Sequence, residues 1–298
     1  MPLQIVSHPD YDAGFAADHR FPMGKYTALM ARLEALGLTS GLNRAEPIAP
    51  HYLRLAHDAT YVDQVLTCTV PHHIEREIGF PVGERVSRRA QLAAGGTLAS
   101  ARLALGHGIA CNAAGGSHHA RRAQGAGFCT FNDVAVAALA LLEDGQVENI
   151  LVVDLDVHQG DGTAEILAST PSVFTFSMHA EKNYPVRKVA SCLDIGLPDK
   201  TGDDAYLDAL TDALAGLSRH GRWDIVFYNA GVDPHREDRL GRLALSDEGL
   251  RRRERLVIGH FRGRGVPLCG VIGGGYSTDV AALAARHAIL FETAAAFA

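Results

Sequence analysis

Asp154, Asp156 and His158 fall at alternate positions of the run Leu151-Val152-Val153-Asp154-Leu155-Asp156-Val157-His158, which then meets Gln159-Gly160-Asp161-Gly162. An apolar, valine-rich run reads as a buried strand, where polar side chains have no inexpensive place. Strand side chains repeat with period two, so the three polar groups are expected on one face. Two carboxylates and an imidazole crowded at a strand end would repel one another, or lie desolvated, unless something cationic joins them. A divalent metal is the simplest remedy; a buried Asp–His hydrogen-bond network without an ion is the plainer alternative.

Catalytic zinc usually takes three protein ligands and keeps one position open for water. Asp156 and His158 supply two, and Asp233, in Asn229-Ala230-Gly231-Val232-Asp233-Pro234-His235, is the obvious third. This oxygen-rich set favours one ion, zinc ahead of Fe²⁺ or Mn²⁺. A dinuclear Mn²⁺ centre would need further ligands, and beyond Asp233 only His235, Glu237 and Asp238 follow.

The pair His118-His119 follows Gly115-Gly116, a spacing that permits a tight turn and close approach to a ligand. Paired histidines are common on solvated surfaces, but Asp154 and Asp161 remain as carboxylate partners once Asp156 is assigned to the metal. An imidazole that donates through one nitrogen to a carboxylate is fixed in one tautomer and made more basic. One histidine could then deprotonate water held at the metal while the other protonates a leaving amine. Tyr276, after Gly273-Gly274-Gly275, offers a phenol to a developing oxyanion, or simply packs at a loop edge. Phe128 is either the wall of an apolar slot or a core aromatic, and Ser177 and His179 close another strand near the rim. His8, His107, His220, His260 and His287 read as surface or capping residues, and His72-His73 as a rim feature or, more simply, a plain loop.

Together these parts describe hydrolysis of an amide or ester by direct attack of water. No Gly-x-Ser-x-Gly elbow and no cysteine nucleophile motif is present, which disfavours an acyl-enzyme.

The elements that position them follow from hydrophobic pattern. Strands are expected at Leu3–Ser7, Ile109–Asn112, Asn149–Asp156, Ser172–Met178, Asp224–Asn229 and Val266–Ile272. Helices are expected over Lys25–Leu36, Arg85–Leu105, Phe131–Glu143, Asp203–Leu217, Ser246–Phe261 and Thr278–Phe291. Such alternation predicts parallel strands with crossover helices on both faces. Ligands of these sheets bind beyond the carboxyl ends of the strands, and four strand ends lead directly into the polar motifs above.

The chain has 298 residues, 47% of them hydrophobic, which suits one globular domain with a sizeable core. A net charge of −6 argues against a broad nucleic-acid footprint. The densest basic run, Arg251-Arg252-Arg253-Glu254-Arg255, reads as a solvated helix face. Five scattered cysteines without Cys-x-x-Cys spacing suggest buried thiols in a reducing compartment. Neither a secretion signal nor a membrane span is indicated, so the cytoplasm is the expected location.

The motifs Gly-Gly-Ser-His-His-Ala, Asp-Leu-Asp-Val-His-Gln-Gly-Asp-Gly-Thr, Asn-Ala-Gly-Val-Asp-Pro-His and Gly-Gly-Gly-Tyr together resemble the histone deacetylase family of the arginase–deacetylase fold. The resemblance runs from Asp10 through Tyr276. It implies a three-layer α/β/α domain with a mainly parallel sheet, and a zinc-dependent amidohydrolase acting on acylated lysines or similar amines. By motif position the zinc ligands would be Asp156, His158 and Asp233. His118 and His119 would be the tandem pair, oriented by Asp154 and Asp161, and Tyr276 the transition-state tyrosine. Phe128, with Gly127 and Gly274, would line the acyl-lysine tunnel, with Tyr184 approximating its second aromatic wall. A structural K⁺ near Asp154, Asp156, His158, Ser177 and Met178 is also implied. His158-Gln159, where many members have His-His, resembles the class IV branch and its bacterial relatives, some of which remove long fatty acyl groups. A deacetylase of small molecules such as acetylated polyamines, and a non-catalytic acyl-lysine-binding module, are the competing readings.

Overall fold

Runs such as Ile150-Leu151-Val152-Val153 present apolar, β-branched side chains to both faces, which suits a strand covered on either side by helices. The computed structural model describes all of residues 1–298. Its strands are β1 (Gln4–Ser7), β2 (Leu42–Arg44), β3 (Ile109–Asn112), β4 (Ile150–Asp154), β5 (Val173–Ala180), β6 (Leu193–Leu197), β7 (Ile225–Asn229) and β8 (Leu268–Val271). They form one sheet in the order β2-β1-β3-β8-β7-β4-β5-β6, and every pairing is parallel.

The helices on the N-terminal side of β3 are α1 (Lys25–Ala35), α2 (Pro50–Ala56), α3 (Ala59–Leu66), α4 (His72–Ile78) and α5 (Glu84–His107). Those that follow are α6 (Asp133–Glu143), α7 (Asp161–Leu167), α8 (Asp203–His220), α9 (Asp247–Arg262) and α10 (Val280–Ala295). One helical layer runs α1, α10, α9, α8, each packed on the next; the other is built on α5 and α6, with α2 and α7 against α6. This is the three-layer α/β/α architecture expected of the arginase–deacetylase fold. No helix is long and apolar enough to cross a membrane.

The six expected strands and six expected helices are all present, while β2, β6, α2, α3, α4 and α7 add to them. Two expectations about these elements need correction. His72-His73 is not a loop but opens α4. Asp156 and His158 do not lie on the strand, because β4 ends at Asp154. The cause is local. Asp154 Oδ1 accepts from the Asp156 amide at 3.2 Å and Asp156 Oδ1 from the His158 amide at 3.0 Å, so each side chain draws its own backbone into a turn.

Register aligns the carboxyl ends of the central strands. Asp154 is paired with Ser177 on one side and Asn229 on the other, and Asn229 with Val271, which also pairs with Asn112. Everything that follows these residues therefore meets at one edge.

That edge is braced from α9. Leu250, Arg253, Glu254, Val257, Ile258 and Phe261 are its buried positions, an inward stripe at helical spacing. Arg253 and Glu254 thus leave the solvated face expected for this basic run; Arg251, Arg252 and Arg255 keep it only in part, Arg251 being half-buried. Arg253 Nη1 donates to the carbonyls of Leu155 at 3.2 Å and Gly231 at 2.7 Å, while Nη2 meets Glu254 Oε1 at 2.6 Å. One guanidinium so ties the segment after β4 to the segment after β7.

Arg253→Met should strand the Glu254 carboxylate in the core and cost about 3–5 kcal/mol, read as a lower denaturant midpoint. Arg253→Met with Glu254→Leu should recover much of that loss. A single variant as stable as the parent would show that the pair carries no such charge balance.

Candidate active site

Gly115 and Gly116 have φ of +86° and +76°, the left-handed region open to glycine, and they turn the chain after β3 across the sheet edge. A Cβ on Gly116 would lie 2.4 Å from Gly273 Cα, so this turn and the one after β8 touch backbone to backbone. Asp133, buried at the start of α6, holds the turn by accepting from the amides of Gly116 at 3.2 Å and Ser117 at 2.8 Å and from Thr97 Oγ1 at 2.6 Å. The next two residues are His118 and His119, both buried.

Each imidazole has its own carboxylate. His118 Nδ1 lies 2.7 Å from Asp154 Oδ2, and His119 Nδ1 lies 2.6 Å from Asp161 Oδ1. Those contacts place a proton on each Nδ1 and leave the two Nε2 atoms facing one another at 3.1 Å. Burial pulls both rings down. At His118 the Asp154 and Asp156 carboxylates outweigh it and push the ring up to about 9. At His119 burial is joined by repulsion from His118, and the ring falls to about 4 in spite of Asp161. Chemically similar neighbours are thus shifted in opposite directions by their surroundings. The orienting acids are held in turn: Asp154 Oδ1 accepts from Asn229 Nδ2 at 2.9 Å, and Asp161 Oδ2 from Arg121 Nη2 at 3.0 Å.

Beside the pair stands the trio of metal-ligand type. One oxygen of each aspartate is fixed by a backbone amide: Asp156 Oδ2 by Gly274 at 2.7 Å, Asp233 Oδ1 by Val157 at 2.9 Å. The remaining atoms converge, with His158 Nδ1 3.0 Å from Asp156 Oδ1 and 3.2 Å from Asp233 Oδ2. All three residues are buried, and Asp233 Oδ2 has no satisfactory hydrogen-bond partner. Burial and the Asp156 charge push Asp233 up to about 7. Two buried carboxylates and an imidazole converging on one point, one oxygen left over, form a donor set that fits a divalent cation. His235 turns away, its Nε2 3.3 Å from Asp247 Oδ1, and Asp238 accepts from the Tyr276 amide at 2.7 Å; neither joins the trio.

A cavity of about 800 Å³ opens onto His119, His158 and Tyr276, with Gly127, Phe128 and Tyr184 among its walls. Phe128 has φ +66°, a strained conformation for an aromatic residue. It is held by bonds from the Gly127 and Phe128 amides to the Glu77 and Ile78 carbonyls at the end of α4, 2.9 and 2.7 Å long. Tyr276 packs 5.7 Å from the Phe128 ring and 6.2 Å from His158, centroid to centroid. Burial and the nearby Asp156 and Asp233 charges push its phenol well above the usual range, so it stays a donor. Tyr184 lies edge-on to His119 at 4.8 Å. Gly274 is at the trio itself, where a Cβ would lie 2.1 Å from Asp233 Oδ2.

Ser177 and Met178 lie buried on β5, with Ser177 Oγ 3.0 Å from His179 Nδ1. His287, expected at the surface, is instead buried in α10 behind Gly275, with no hydrogen-bond partner. His8 does cap, accepting from the Asp10 amide. All five cysteines are unpaired; Cys111, Cys129 and Cys269 are buried, Cys68 is half-buried, and Cys192 is exposed.

Sequence reasoning missed Asp133, Asn229, Arg121, Arg253 and His57. For Asp133 and Asn229 a signal existed, since both sit at element ends next to glycine turns of the site. His57 has none in its own neighbourhood.

A Histone deacetylase domain family model matches residues 19–291 of the chain. The chain belongs to the histone deacetylase family. This family member is 45% identical, over 99% of both chains, to an uncharacterized protein of Picosynechococcus sp.. It is 27% identical to histone deacetylase 2 of Arabidopsis thaliana, over 92% of this chain and 74% of that one. Its structure is similar to that of acetylpolyamine aminohydrolase from Burkholderia pseudomallei, with a TM-score of 0.79, 22% identity and 99% of each chain covered. As a histone deacetylase-family hydrolase, it brings the four motif segments together at one strand edge.

His57 closes the base of the loop that carries Phe128. Its Nε2 accepts from the Asn132 amide at 3.0 Å, so Nδ1 bears the proton and donates to the Arg121 carbonyl at 2.8 Å. Burial lowers this ring to about 4. The unfolded imidazole, near 6.5, binds a proton that the folded one refuses, so the stabilisation is complete above about pH 6.5 and is lost as pH falls toward 4. Below pH 6.5 the unfolding free energy of the parent should fall more steeply than that of His57→Gln, by about 1.4 kcal/mol per pH unit. Parallel curves would show that His57 does not take up a proton on unfolding.

Proposed function

We propose that this protein is a metal-dependent amidohydrolase that removes acyl groups, acetyl or longer, from lysine side chains or similar amines. Residues 1–298 act as one catalytic domain. Asp156, His158 and Asp233 would hold the ion, zinc ahead of Fe²⁺, and the observation that carries the reading is the convergence of their ligand atoms beside two carboxylate-backed imidazoles. A divalent ion held there supplies a Lewis acid that acidifies water and polarises a carbonyl.

The chain's own residues divide the remaining work. The acyl chain lies between Phe128 and Tyr184, which places the amide carbonyl over Tyr276, His119 and His158. The free Nε2 of the histidine pair accepts the proton of the attacking water, and the protonated Nε2 delivers one to the departing amine. Asp154 and Asp161 keep both rings in the tautomer that exposes Nε2. Tyr276, kept neutral by its buried acidic surroundings, donates to the oxygen that gains charge as the carbonyl becomes tetrahedral. Ser177 and Met178, beside Asp154, Asp156 and His158, are the proposed place of a structural K⁺; the adjacency of Asp154 and Ser177 across β4 and β5 supports it. Five unpaired cysteines support a cytoplasmic setting.

The fold likeness to an acetylpolyamine aminohydrolase favours acetylated small amines as the second reading. A binding-only module has no use for two proton-carrying imidazoles and is set aside.

The test is amine release from acyl-lysine peptides by the zinc-loaded protein. Turnover should be abolished by a chelator and restored by zinc. Tyr276→Phe should keep its metal and lose roughly 10²–10³-fold in kcat. Chelator-insensitive hydrolysis would remove the metal from the mechanism, and an unchanged kcat in the variant would remove Tyr276 from it.

A further inference from the structure

The mouth of the cavity differs in charge from the molecule around it. Arg20, Arg76, Lys182 and Arg242 all line it, with His73, against one carboxylate, Glu77. The chain as a whole carries a net charge of −6. The four cations come from separate places: the segment before α1, α4, the loop after β5, and the loop between β7 and α9. A local basic run on one helix therefore does not account for them.

Some surface arginines elsewhere are neutralised by acids. Arg54, Arg88, Arg102 and Arg252 each meet an aspartate within 3.0 Å. At the mouth only Arg242 does, with Asp199 at 3.0 Å. Arg20, Arg76 and Lys182 are exposed and face the opening without an acidic partner.

Resting on the amidohydrolase reading, we propose that this mouth selects acylated amines carried among anionic groups, an acyl-lysine flanked by aspartate or glutamate above all, and rejects acylated polyamines. Opposed charge around a concave opening raises the local concentration of an anionic substrate and guides its approach. A polyamine brings further ammonium groups to the same opening and is repelled by the same field. Peptide flanks and a small acylamino acid offer the same carboxylate chemistry, and both belong in the test. Because the cations are exposed and lie at the opening, they act on capture of substrate. The selection should therefore appear in kcat/KM much more than in kcat, and should fade with salt.

The experiment compares kcat/KM of the zinc-loaded protein on matched acetyl-lysine peptides with acidic, neutral or basic flanks, an acetylated ω-amino acid, and an acetylated polyamine. At low ionic strength the acidic peptide should exceed the basic one by about tenfold or more, with the polyamine poorest. In ~1 M salt, where screening acts within about 3 Å, the difference should largely vanish. Arg76→Glu with Lys182→Glu should invert the order and leave kcat on the neutral peptide within about twofold. Preference for the ω-amino acid over every peptide would assign the anionic partner to a small molecule and uphold the charge selection. Equal kcat/KM across the flanks at low salt, or a polyamine preference, overturns the selection and leaves amide hydrolysis standing. Failure to turn over any member with metal bound overturns the amidohydrolase reading, and the selection with it.

Discussion

The structure depends on burying four aspartates, Asp154, Asp156, Asp161 and Asp233, at one sheet edge. A buried carboxylate is tolerated only where its oxygens are hydrogen-bonded or neutralised. Two of the four are matched by imidazoles and further supported, Asp154 by Asn229 and Asp161 by Arg121. Of the other two, Asp156 accepts a backbone amide at each oxygen, while Asp233 accepts one at Oδ1 and leaves Oδ2 directed inward. The trio is the part of this arrangement that a cation would complete.

That arrangement constrains the backbone more than the side chains. The amides that bind Asp156 and Asp233 belong to segments after β8 and β4, so loops from different strands must approach within contact distance. Gly116, Gly273 and Gly274 allow this: a Cβ on any of them would lie between 2.1 and 2.4 Å from Gly273, the Asn229 amide oxygen or the Asp233 carboxylate, respectively. Arg253 works on the same problem from below, drawing the Leu155 and Gly231 carbonyls toward one guanidinium. Its charge balances Glu254 and takes no part in the mouth, which separates bracing from substrate capture.

How much of this was legible in the sequence follows from where each residue sits. Asp154, Asp156, His158 and Asp233 stand out because they interrupt or follow apolar strands, where a polar residue has no inexpensive default. The central strands were legible for the same reason, as runs buried on both faces. Edge strand β6 alternates Leu193, Ile195 and Leu197 with Asp194 and Gly196, and β2 has three residues; neither breaks from its surroundings strongly enough to be read. Arg253, Glu254 and His57 lie in stretches where polar residues are ordinary. Their burial is decided by what packs over them, which no local pattern encodes. The mouth was illegible as a charged site because its cations come from segments far apart in the chain.

The histidine pair shows how sharply position acts on chemically equal groups. His118 and His119 are adjacent, both buried, both backed by an aspartate, yet one is driven up to about 9 and the other down to about 4. The difference lies in Asp156, whose Oδ1 is 3.7 Å from His118 Nε2, and in the charge His118 then presents to its neighbour. Asp156 also belongs to the trio. A divalent cation drawn to that carboxylate would oppose the proton on His118 as directly as the carboxylate favours it, and it would require an unprotonated Nδ1 on His158. Ion and proton would therefore compete for the same buried negative charge. The trio and the pair share the Asp156 charge, so an ion held by the first would lower the basicity of the second. The cations of the mouth are exposed and belong to separate segments, three loops and α4. They lie outside the buried unit, which is bound by its own charge balance.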